Sequence, residues 1–346
     1  MGQEIFFLAI IIPIILFMIT MKILDKPRKP KLRLPNLTPP ENGRPTGELA
    51  RRLGCGVDIL ATTPINYRQF AIEKRSGGHR YIQAPDASLK KIQRTILKRL
   101  LNKLPTHPAA TGFAKGHSIV SNAFPHIDAD VILRMDIKTF FRSTTENRLR
   151  SYLYVIGWDQ ESTDILIRLC TYHGSLPQGA PTSPRLSNLI NYELDARLDG
   201  WAKKVGAVYT RYADDITFSF YDIDCIAPFE AVAQNPKTLE KVPQTIQGNN
   251  LVASTIQMTK KILAEYEYDL HMKRKLNIRR RHQQQKVTGL VVNKCVALPR
   301  KTRRWLRSVE HHLETGKAAS LTPQQLQGWQ AFEKMVKEQT DFLTSK

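Results

Sequence analysis

Cysteine is scarce in this chain, and no two cysteines have the spacing of a metal-binding or redox pair. The 346 residues contain four cysteines, at positions 55, 170, 225 and 295. A zinc site built on cysteine needs pairs separated by only a few residues, so the pattern gives no support to one. Scattered single cysteines fit a compartment in which thiols stay reduced.

Acidic residues are also few relative to basic ones. The chain has 31 Asp and Glu against 52 Lys and Arg, which gives a formal net charge of +21. A broad positive field favours polyanionic partners, while general basicity for solubility or membrane adhesion is the plainer alternative. The hydrophobic fraction of 42% is enough for a packed core and excludes global disorder.

One long apolar run, Ile5–Met21, stands at the N-terminal end. It lacks the basic start and small-residue cleavage site of a secretory signal, and about 17–20 residues just span a membrane. Basic residues follow the run, so we predict that residues 1–24 form a single-pass transmembrane helix in the inner membrane, with the rest of the chain in the cytoplasm. A hydrophobic helix that docks on a partner, or on the domain itself, is the alternative. Residues 25–47, rich in proline and basic residues, are predicted to be an extended linker.

Two adjacent aspartates, Asp214 and Asp215, lie between two strand-like runs within residues 208–220. The runs alternate β-branched or aromatic residues with polar ones, which predicts a β-hairpin with both aspartates at its tip. Like charges at a turn repel, and a Mg²⁺ ion, which prefers oxygen ligands, would neutralise them. A solvated acidic turn is the alternative for such a pair taken alone.

The tetrad YADD at residues 212–215 resembles the YxDD signature of reverse transcriptases. A third carboxylate is needed to hold two metals, and the apolar run 131–136 supplies Asp136 at its end. The resemblance implies two Mg²⁺ ions, with Mn²⁺ as the other candidate, roughly 3.5–4 Å apart on either side of the reacting phosphate. Asp136 and Asp214 would bridge the ions, and Asp215 would be more peripheral. A strand-end cap is the alternative for Asp136.

A second predicted hairpin lies upstream, where Ser-Gly-Gly at 76–78 separates two strand-like runs within residues 67–84. With the LKKIQ segment that follows, it resembles the fingers of the family. The resemblance implies that Lys74 and Arg80 contact the triphosphate of the incoming nucleotide. Cationic donors form strong, charge-assisted hydrogen bonds with phosphate. An exposed hairpin with solvated charges is the alternative.

The segment that begins with Gly-Phe at 112–113 resembles the GFxxGxS motif of bacterial reverse transcriptases. Within it, Asn122 and His126 match the NAxxH signature of retron enzymes, and their polar groups suit RNA recognition. A capped helix start is the alternative. Phe141, five residues after Asp136, occupies the position that rejects a ribose 2′-OH in this superfamily; a core phenylalanine is the alternative, and Phe140 beside it is expected in the core.

Residues 175–184, SLPQGAPTSP, resemble the LPQGxPxSP motif of retron and group II intron enzymes. The resemblance implies that Gln178 and Gly179 line the nucleotide and template pocket, whereas a plain loop before a helix is the alternative. For the basic segment 270–277, the resemblance implies that Lys275 assists the leaving pyrophosphate, with Lys273 as the alternative.

Near the C-terminal end, Val287, Thr288 and Gly289 resemble the VTG motif of retron enzymes, which implies a hairpin that supports the primer. The run 300–314 then predicts a helix whose cations surround an aromatic side chain, as suits a duplex backbone. A solvated charged helix is the alternative. The cations taken as candidate RNA contacts are Arg303, Arg304 and Arg307.

The motifs occur in the family's order and point to a retron reverse transcriptase. The resemblance implies an α+β fold: a right-hand polymerase with fingers and palm over residues 48–296 and a helical thumb and C-terminal tail over 297–346. The predicted transmembrane helix in front of them departs from the usual compact retron enzyme. Thr139 departs from the family, since a second acidic residue is common there, but Asp136 remains.

The same resemblance implies an RNA-directed DNA polymerase that uses dNTPs and binds a structured non-coding RNA. It would prime from an internal 2′-OH and produce branched RNA–DNA (msDNA), in antiphage defence with an effector protein. We expect no RNase H in this chain, so a host RNase H would trim the template, and a homo-oligomer is compatible with the pattern. The hydrophobic segment could itself be the effector.

Two other hypotheses stay open. One is another membrane-tethered defence enzyme or an intron-like reverse transcriptase. The other, from a different class, is a catalytically silent RNA-binding scaffold at the membrane.

Overall fold

The structure is organised around a four-stranded antiparallel sheet. It is a computed structural model, which describes residues 38–74, 77–222, 248–272 and 276–345. In chain order, the strands are β1 (Tyr67–Glu73), β2 (His79–Pro85), β3 (Val131–Asp136), β4 (Ala207–Tyr212), β5 (Asp215–Phe220), β6 (Asn277–Arg280), β7 (Lys286–Val287) and β8 (Leu290–Val291). The central sheet has the order β4-β5-β3-β6, and β1–β2 and β7–β8 are separate hairpins.

The helices account for most of the remaining described chain. The α-helices are Thr46–Leu53, Val57–Thr62, Ala87–Arg99, Ile119–Ala123, Phe140–Ser143, Glu146–Val155, Gln160–Cys170, Ser183–Ile190, Tyr192–Lys204, Gly248–Glu265, Arg300–Glu314 and Pro323–Thr344, with 3-10 turns at Leu101–Lys103 and Phe124–His126. This mixture of helices with an antiparallel sheet agrees with the predicted α+β class.

The two faces of the central sheet differ because successive side chains of a strand point to opposite sides. On one face, the apolar residues of β3 and β5 pack against helices Tyr192–Lys204 and Gly248–Glu265 in one core. Each such buried side chain contributes about 1.5–3 kcal/mol relative to exposure. The other face carries polar residues, among them Asp136 and Asp215, which are opposite each other in the β3–β5 register.

A second core lies at the base of the β1–β2 hairpin. It is formed by helices that precede the hairpin in sequence and by helices that follow it. The hairpin itself exposes most of its side chains, and its base is held where Gln93 Nε2 donates to the Tyr67 hydroxyl at 2.8 Å. Helix Ala87–Arg99 begins directly after the hairpin because the Asp86 side chain accepts from the amide of Leu89 at 2.8 Å, an N-cap. The predicted Ser-Gly-Gly hairpin is confirmed.

A third core joins the C-terminal helices to the polar side of the central sheet. Ile132 of β3 shares it with Val287 of the β7–β8 hairpin and with Leu306 and Val336 of the last two helices. The predicted basic helix over residues 300–314 is confirmed with the same bounds.

One predicted helix is divided in two. The pattern from Arg185 to Leu198 predicts a single helix, but the structure has helix Ser183–Ile190 followed by Tyr192–Lys204. The break is at Asn191, which is fully buried and accepts a hydrogen bond from Arg148 Nη2 at 2.6 Å. The break therefore falls at a polar residue whose hydrogen bonds are satisfied within the core.

The predicted transmembrane segment 1–24, most of the predicted linker 25–47, and Lys275 lie outside the described residues. In the four ranges that the structure covers, no helix combines the length and the apolar character needed to cross a membrane.

Candidate active site

The three candidate aspartates meet at one end of the central sheet. Asp136 ends β3, Asp215 begins β5, and the register places them directly opposite each other, so their side chains project from the same face. Asp214 lies in the β4–β5 turn, and its carbonyl accepts a hydrogen bond from the amide of Ile137 at 2.9 Å. Residues separated by nearly eighty positions are thus joined by backbone hydrogen bonds.

The turn that carries Asp214 is tight and strained. Tyr212 pairs with Asp215, so Ala213 and Asp214 form a two-residue hairpin loop. Ala213 has a φ of 58°, which L-residues other than glycine, asparagine and aspartate rarely adopt. A turn of this kind persists only when its surroundings hold it in place.

A buried ion pair holds the YADD turn from behind. Arg211 and Asp195 are both 0% exposed, and the guanidinium donates to the two carboxylate oxygens at 2.7 and 2.6 Å. The remaining Nη1 donates to the carbonyl of Ala213 at 2.9 Å, and the Tyr209 hydroxyl donates to Asp195 at 2.8 Å. Burial opposes the charge of Arg211, but the neighbouring carboxylate raises its pKa above the usual value, so it stays charged.

The segment before Phe113 supports the same turn from the side. The amide of Thr111 donates to the carbonyl of Arg211 at 3.0 Å, and the amide of Arg211 donates to the carbonyl of Ala109 at 2.8 Å. Gly112 lies so close that a Cβ there would be 2.5 Å from the amide nitrogen of Ala213. The glycine of the predicted GFxxGxS motif is therefore needed for a close backbone approach.

An arginine and a histidine lie beside the carboxylates. Arg134 Nη2 lies 3.5 Å from Asp215 Oδ1, and His271 Nε2 lies 3.7 Å from Asp136 Oδ1. Within the described ranges, no three His, Cys, Asp or Glu side chains are grouped closely enough to hold a metal ion. The donors that share this face are hard carboxylate oxygens, which suit Mg²⁺ or Mn²⁺ rather than a thiophilic metal. The chemistry of the donor set therefore fits divalent cations of that type.

Three aromatic rings border the aspartates. The ring centroid of Phe113 lies 6.2 Å from that of Phe141 and 6.4 Å from that of Tyr212. Phe140, as expected, is buried in the core, whereas Phe141 is only half-buried. The ring of the candidate sugar-sensing residue is therefore partly accessible beside the YADD turn.

The LPQG loop (residues 176–179) contacts the β1–β2 hairpin directly. The amide of Gln83 donates to the carbonyl of Gln178 at 2.8 Å. Gly179 has a φ of 133°, and a Cβ there would lie 2.7 Å from the carbonyl oxygen of Gln83. Only glycine fits this contact without displacing the strand.

Lys74 and Arg80 are exposed on the β1–β2 hairpin. Arg80 pairs with Ile72, so strand alternation places Lys74, Arg80 and Ile82 on one face. Ile82 lies against Gly179, since its Cγ2 would be 2.9 Å from a Cβ there. The two cations therefore share the face that turns toward the LPQG loop.

The structure corrects the expected role of Asn122 and His126. They are 1% and 0% exposed, so neither has surface to offer an RNA. Asn122 accepts from the Thr111 hydroxyl at 2.6 Å, and His126 hydrogen-bonds the hydroxyls of Ser219 and Thr210, one on β5 and one on β4. Burial lowers the pKa of His126 to about 3, so it is neutral in this site. His126 therefore joins its 3-10 turn to the polar face of the sheet, and Asn122 joins helix Ile119–Ala123 to the segment before Phe113.

The VTG residues form the predicted hairpin, but they have different exposures. Thr288 and Gly289 have positive φ values of 48° and 87°, as a type I′ turn requires. Val287 is fully buried in the third core, which corrects its assignment as an RNA contact. Thr288 donates its hydroxyl to the carbonyl of Ile119 at 2.9 Å, and Gly289 is exposed at the tip.

The candidate cations of the helix Arg300–Glu314 are accessible. All three arginines lie on exposed positions, while Leu306 and Val309 face the core. No carboxylate in the described part of the chain forms a salt bridge with them. The residues concerned are Arg303, Arg304 and Arg307.

Sequence reasoning missed the support of the YADD turn. Arg211 and Asp195 are sixteen positions apart, and a charged residue in a strand next to the acidic tip offered the only signal. Asn188 is another supporting residue that the sequence did not reveal. It is buried and donates to the carbonyl of Gly112 at 2.6 Å. The GFxxGxS motif includes Phe113 but does not indicate a separate role for its ring.

A model of a known protein family matches the middle of the chain. The model of the family described as "Reverse transcriptase (RNA-dependent DNA polymerase)" matches residues 72–227, which include all three aspartates. The fold is thus that of a reverse transcriptase domain.

Known relatives give the family. Retron Ec86 reverse transcriptase of Escherichia coli is 32% identical over 277 residues, which cover 79% of this chain and 78% of that protein. Retron Mx162 reverse transcriptase of Myxococcus xanthus is 33% identical over 318 residues, which cover 82% of this chain and 62% of that protein. The chain belongs to the retron reverse transcriptases and is an RNA-directed DNA polymerase.

Proposed function

We propose that this chain is the polymerase of a retron, which binds a structured non-coding RNA and copies part of it into branched RNA–DNA (msDNA) from an internal 2′-OH. The observation that carries the proposal is the placement of Asp136 opposite Asp215, with the backbone carbonyl of Asp214 accepting a hydrogen bond from the amide of Ile137, the residue after β3. A catalytically silent scaffold would have no need of a strained turn held by a buried ion pair.

Asp136, Asp214 and Asp215 are the residues that would hold two divalent ions, Mg²⁺ or Mn²⁺. When bound, such ions activate the attacking hydroxyl and neutralise the leaving group. The chain's own contribution is rigidity: Arg211 fixes the carbonyl of Ala213, so the aspartates enter the reaction already oriented.

The β1–β2 hairpin would act as fingers, the central sheet as palm and the last two helices as thumb. Lys74 and Arg80 would bind the triphosphate, and Gln178 and Gly179 would position the nucleotide against the template. Phe141 would exclude a ribose 2′-OH and thereby select dNTPs. Lys275 keeps its proposed role near the pyrophosphate.

RNA binding would fall to the exposed groups: the tip of the VTG hairpin at Gly289 with Thr288, and the arginines of helix Arg300–Glu314. Phosphate contacts of this kind are independent of sequence. Recognition of a particular RNA would come from its folded shape.

The N-terminal apolar run would anchor the enzyme as a single-pass protein of the inner membrane. A host RNase H and an effector protein would complete an antiphage system, and the apolar run is a candidate for the effector itself. Removing residues 1–22 should then spare polymerisation and abolish defence against phage. Unchanged protection would refute the effector role, and unchanged membrane fractionation would refute the anchor.

The test of retron-type synthesis is cellular. The gene is expressed with its native upstream region, and total nucleic acid is examined on a denaturing gel for a small branched DNA, with the Asp214→Asn/Asp215→Asn double variant as control. A band in the wild type alone supports the proposal. Primer extension on a generic RNA template without such a band would favour another defence or intron-like enzyme.

A further inference from the structure

Phe113 is an exposed aromatic residue in a costly backbone conformation. Its φ is 61°, in the left-handed region that bulky residues avoid, and 44% of its surface remains exposed. Burial in the core therefore does not explain a phenylalanine at this position, and glycine would adopt the same backbone without strain.

Contacts of the preceding residue hold the backbone in place at Phe113. The preceding residue, Gly112, is pressed against the YADD turn, and its carbonyl accepts a hydrogen bond from the buried Asn188 at 2.6 Å. A strained residue that neighbouring contacts fix so firmly is typical of functional positions.

The ring of Phe113 contacts two other aromatic rings, the proposed sugar-sensing ring of Phe141 and the first ring of the YADD turn, Tyr212. Its centroid is 6.2 Å from Phe141 with the ring planes at 42°, and 6.4 Å from Tyr212 with the planes at 39°. Tilted aromatic pairs at 4.5–7 Å attract each other by about 0.5–1.5 kcal/mol beyond the area that they bury, a factor of about 2 to 12 in an equilibrium. The ring can therefore restrict where Phe141 lies.

We propose that Phe113 is a specificity-determining residue that holds Phe141 against the sugar of the incoming nucleotide, so that dNTPs are preferred over rNTPs. The proposal rests on the proposed role of Phe141. Phe113 acts through that ring and is a positioning residue. Its backbone strain is the cost of presenting an aromatic ring where the chain would otherwise take glycine.

The test compares two variants that remove the ring but differ in strain. Phe113→Ala keeps a Cβ at a positive φ, whereas Phe113→Gly relieves the strain, so Phe113→Gly should melt at the higher temperature of the two. Full-length proteins are assayed for single-nucleotide addition to a primed RNA template, and the ratio of kcat/KM for a dNTP to that for its rNTP is measured. We expect both variants to lose about 2- to 12-fold in this ratio, irrespective of their stability.

Three controls make the result decisive. Phe113→Tyr keeps the ring and should retain the wild-type ratio. Val155→Ala removes an exposed apolar side chain at the end of helix Glu146–Val155 and should change nothing. Phe141→Ala should lower the ratio more than either Phe113 variant.

The outcomes that would overturn the proposal are distinct. A wild-type ratio in both Phe113 variants, with a lowered ratio in Phe141→Ala, would refute the role of Phe113 alone. A loss in Phe113→Ala but not in Phe113→Gly would show that backbone strain, not the ring, is responsible. A wild-type ratio in Phe141→Ala would refute the role of Phe141 in the proposed function and, with it, this inference.

Discussion

Replacing Asp195 by asparagine should destabilise the protein and impair catalysis together. The substitution keeps the shape of the side chain but leaves the guanidinium of Arg211 buried without its counter-charge, and both residues are 0% exposed. Removing one partner of a buried ion pair costs about 3–5 kcal/mol. That is a large share of a total stability of about 5–15 kcal/mol.

A compensated variant separates the two effects. Replacing the network by apolar groups, as Tyr209→Phe/Asp195→Leu/Arg211→Met, leaves no buried charge, and such replacements are often neutral or stabilising. The triple variant still lacks the donor that fixes the carbonyl of Ala213. We therefore expect its stability to return close to that of the wild type, while kcat remains about 100-fold lower because the aspartates are misplaced.

The assays are urea unfolding and single-nucleotide addition on a primed RNA template. Wild-type kcat in a stably folded triple variant would refute the reasoning, since the pair would then serve only the fold. Full stability in Asp195→Asn would contradict the magnitude derived from burial.

Three further predictions concern a buried histidine, a close backbone approach and the exposed arginines of one helix. Burial lowers the pKa of His126 to about 3, so between pH 6.5 and 3 the unfolded chain binds a proton that the folded chain does not, and the free energy of unfolding falls as the pH drops. Measured by urea unfolding and relative to a His126→Gln variant, this loss of stability should be about 2 kcal/mol at pH 5 and none at pH 8. Gly179→Ala should raise KM for dNTPs because its Cβ would lie 2.7 Å from the carbonyl of Gln83, and an unchanged KM would contradict the close fit. Replacing the three exposed arginines of helix Arg300–Glu314 with glutamine should reduce the slope of log affinity against log salt by about 3 for duplex RNA–DNA. The control Lys203→Gln/Lys204→Gln should leave the slope unchanged. If the arginine variant has the same slope as the wild type, this helix is not part of the interface. The arginines are Arg303, Arg304 and Arg307.

Local patterns in the sequence were enough to predict the elements that carry the site. Alternation within residues 208–220 predicted the hairpin that presents Asp214 and Asp215, and the apolar run ending at Asp136 is β3. Both depend on side-chain periodicity and on neighbours in sequence, which a single chain records directly.

The contacts that position the site depended on tertiary packing and could not be predicted this way. Arg211 finds Asp195 only because helix Tyr192–Lys204 packs on the apolar face of the sheet. His126 was recognised as part of a motif but assigned to RNA, because its burial depends on which segment covers the polar face. A motif identifies residues that a family keeps together, and only the fold tells whether they contact substrate or one another.

The measurement that tests the central claim most directly is DNA synthesis by the purified full chain on a primed RNA template in Mg²⁺, with each aspartate replaced by asparagine in turn. We expect Asp136→Asn and Asp214→Asn to abolish synthesis, Asp215→Asn to reduce it strongly, and Asp199→Asn, on the helix behind the sheet, to have no effect. All variants should retain the wild-type melting profile within a few degrees. Wild-type synthesis by Asp136→Asn or Asp214→Asn would contradict the assignment of this sheet end as the active site.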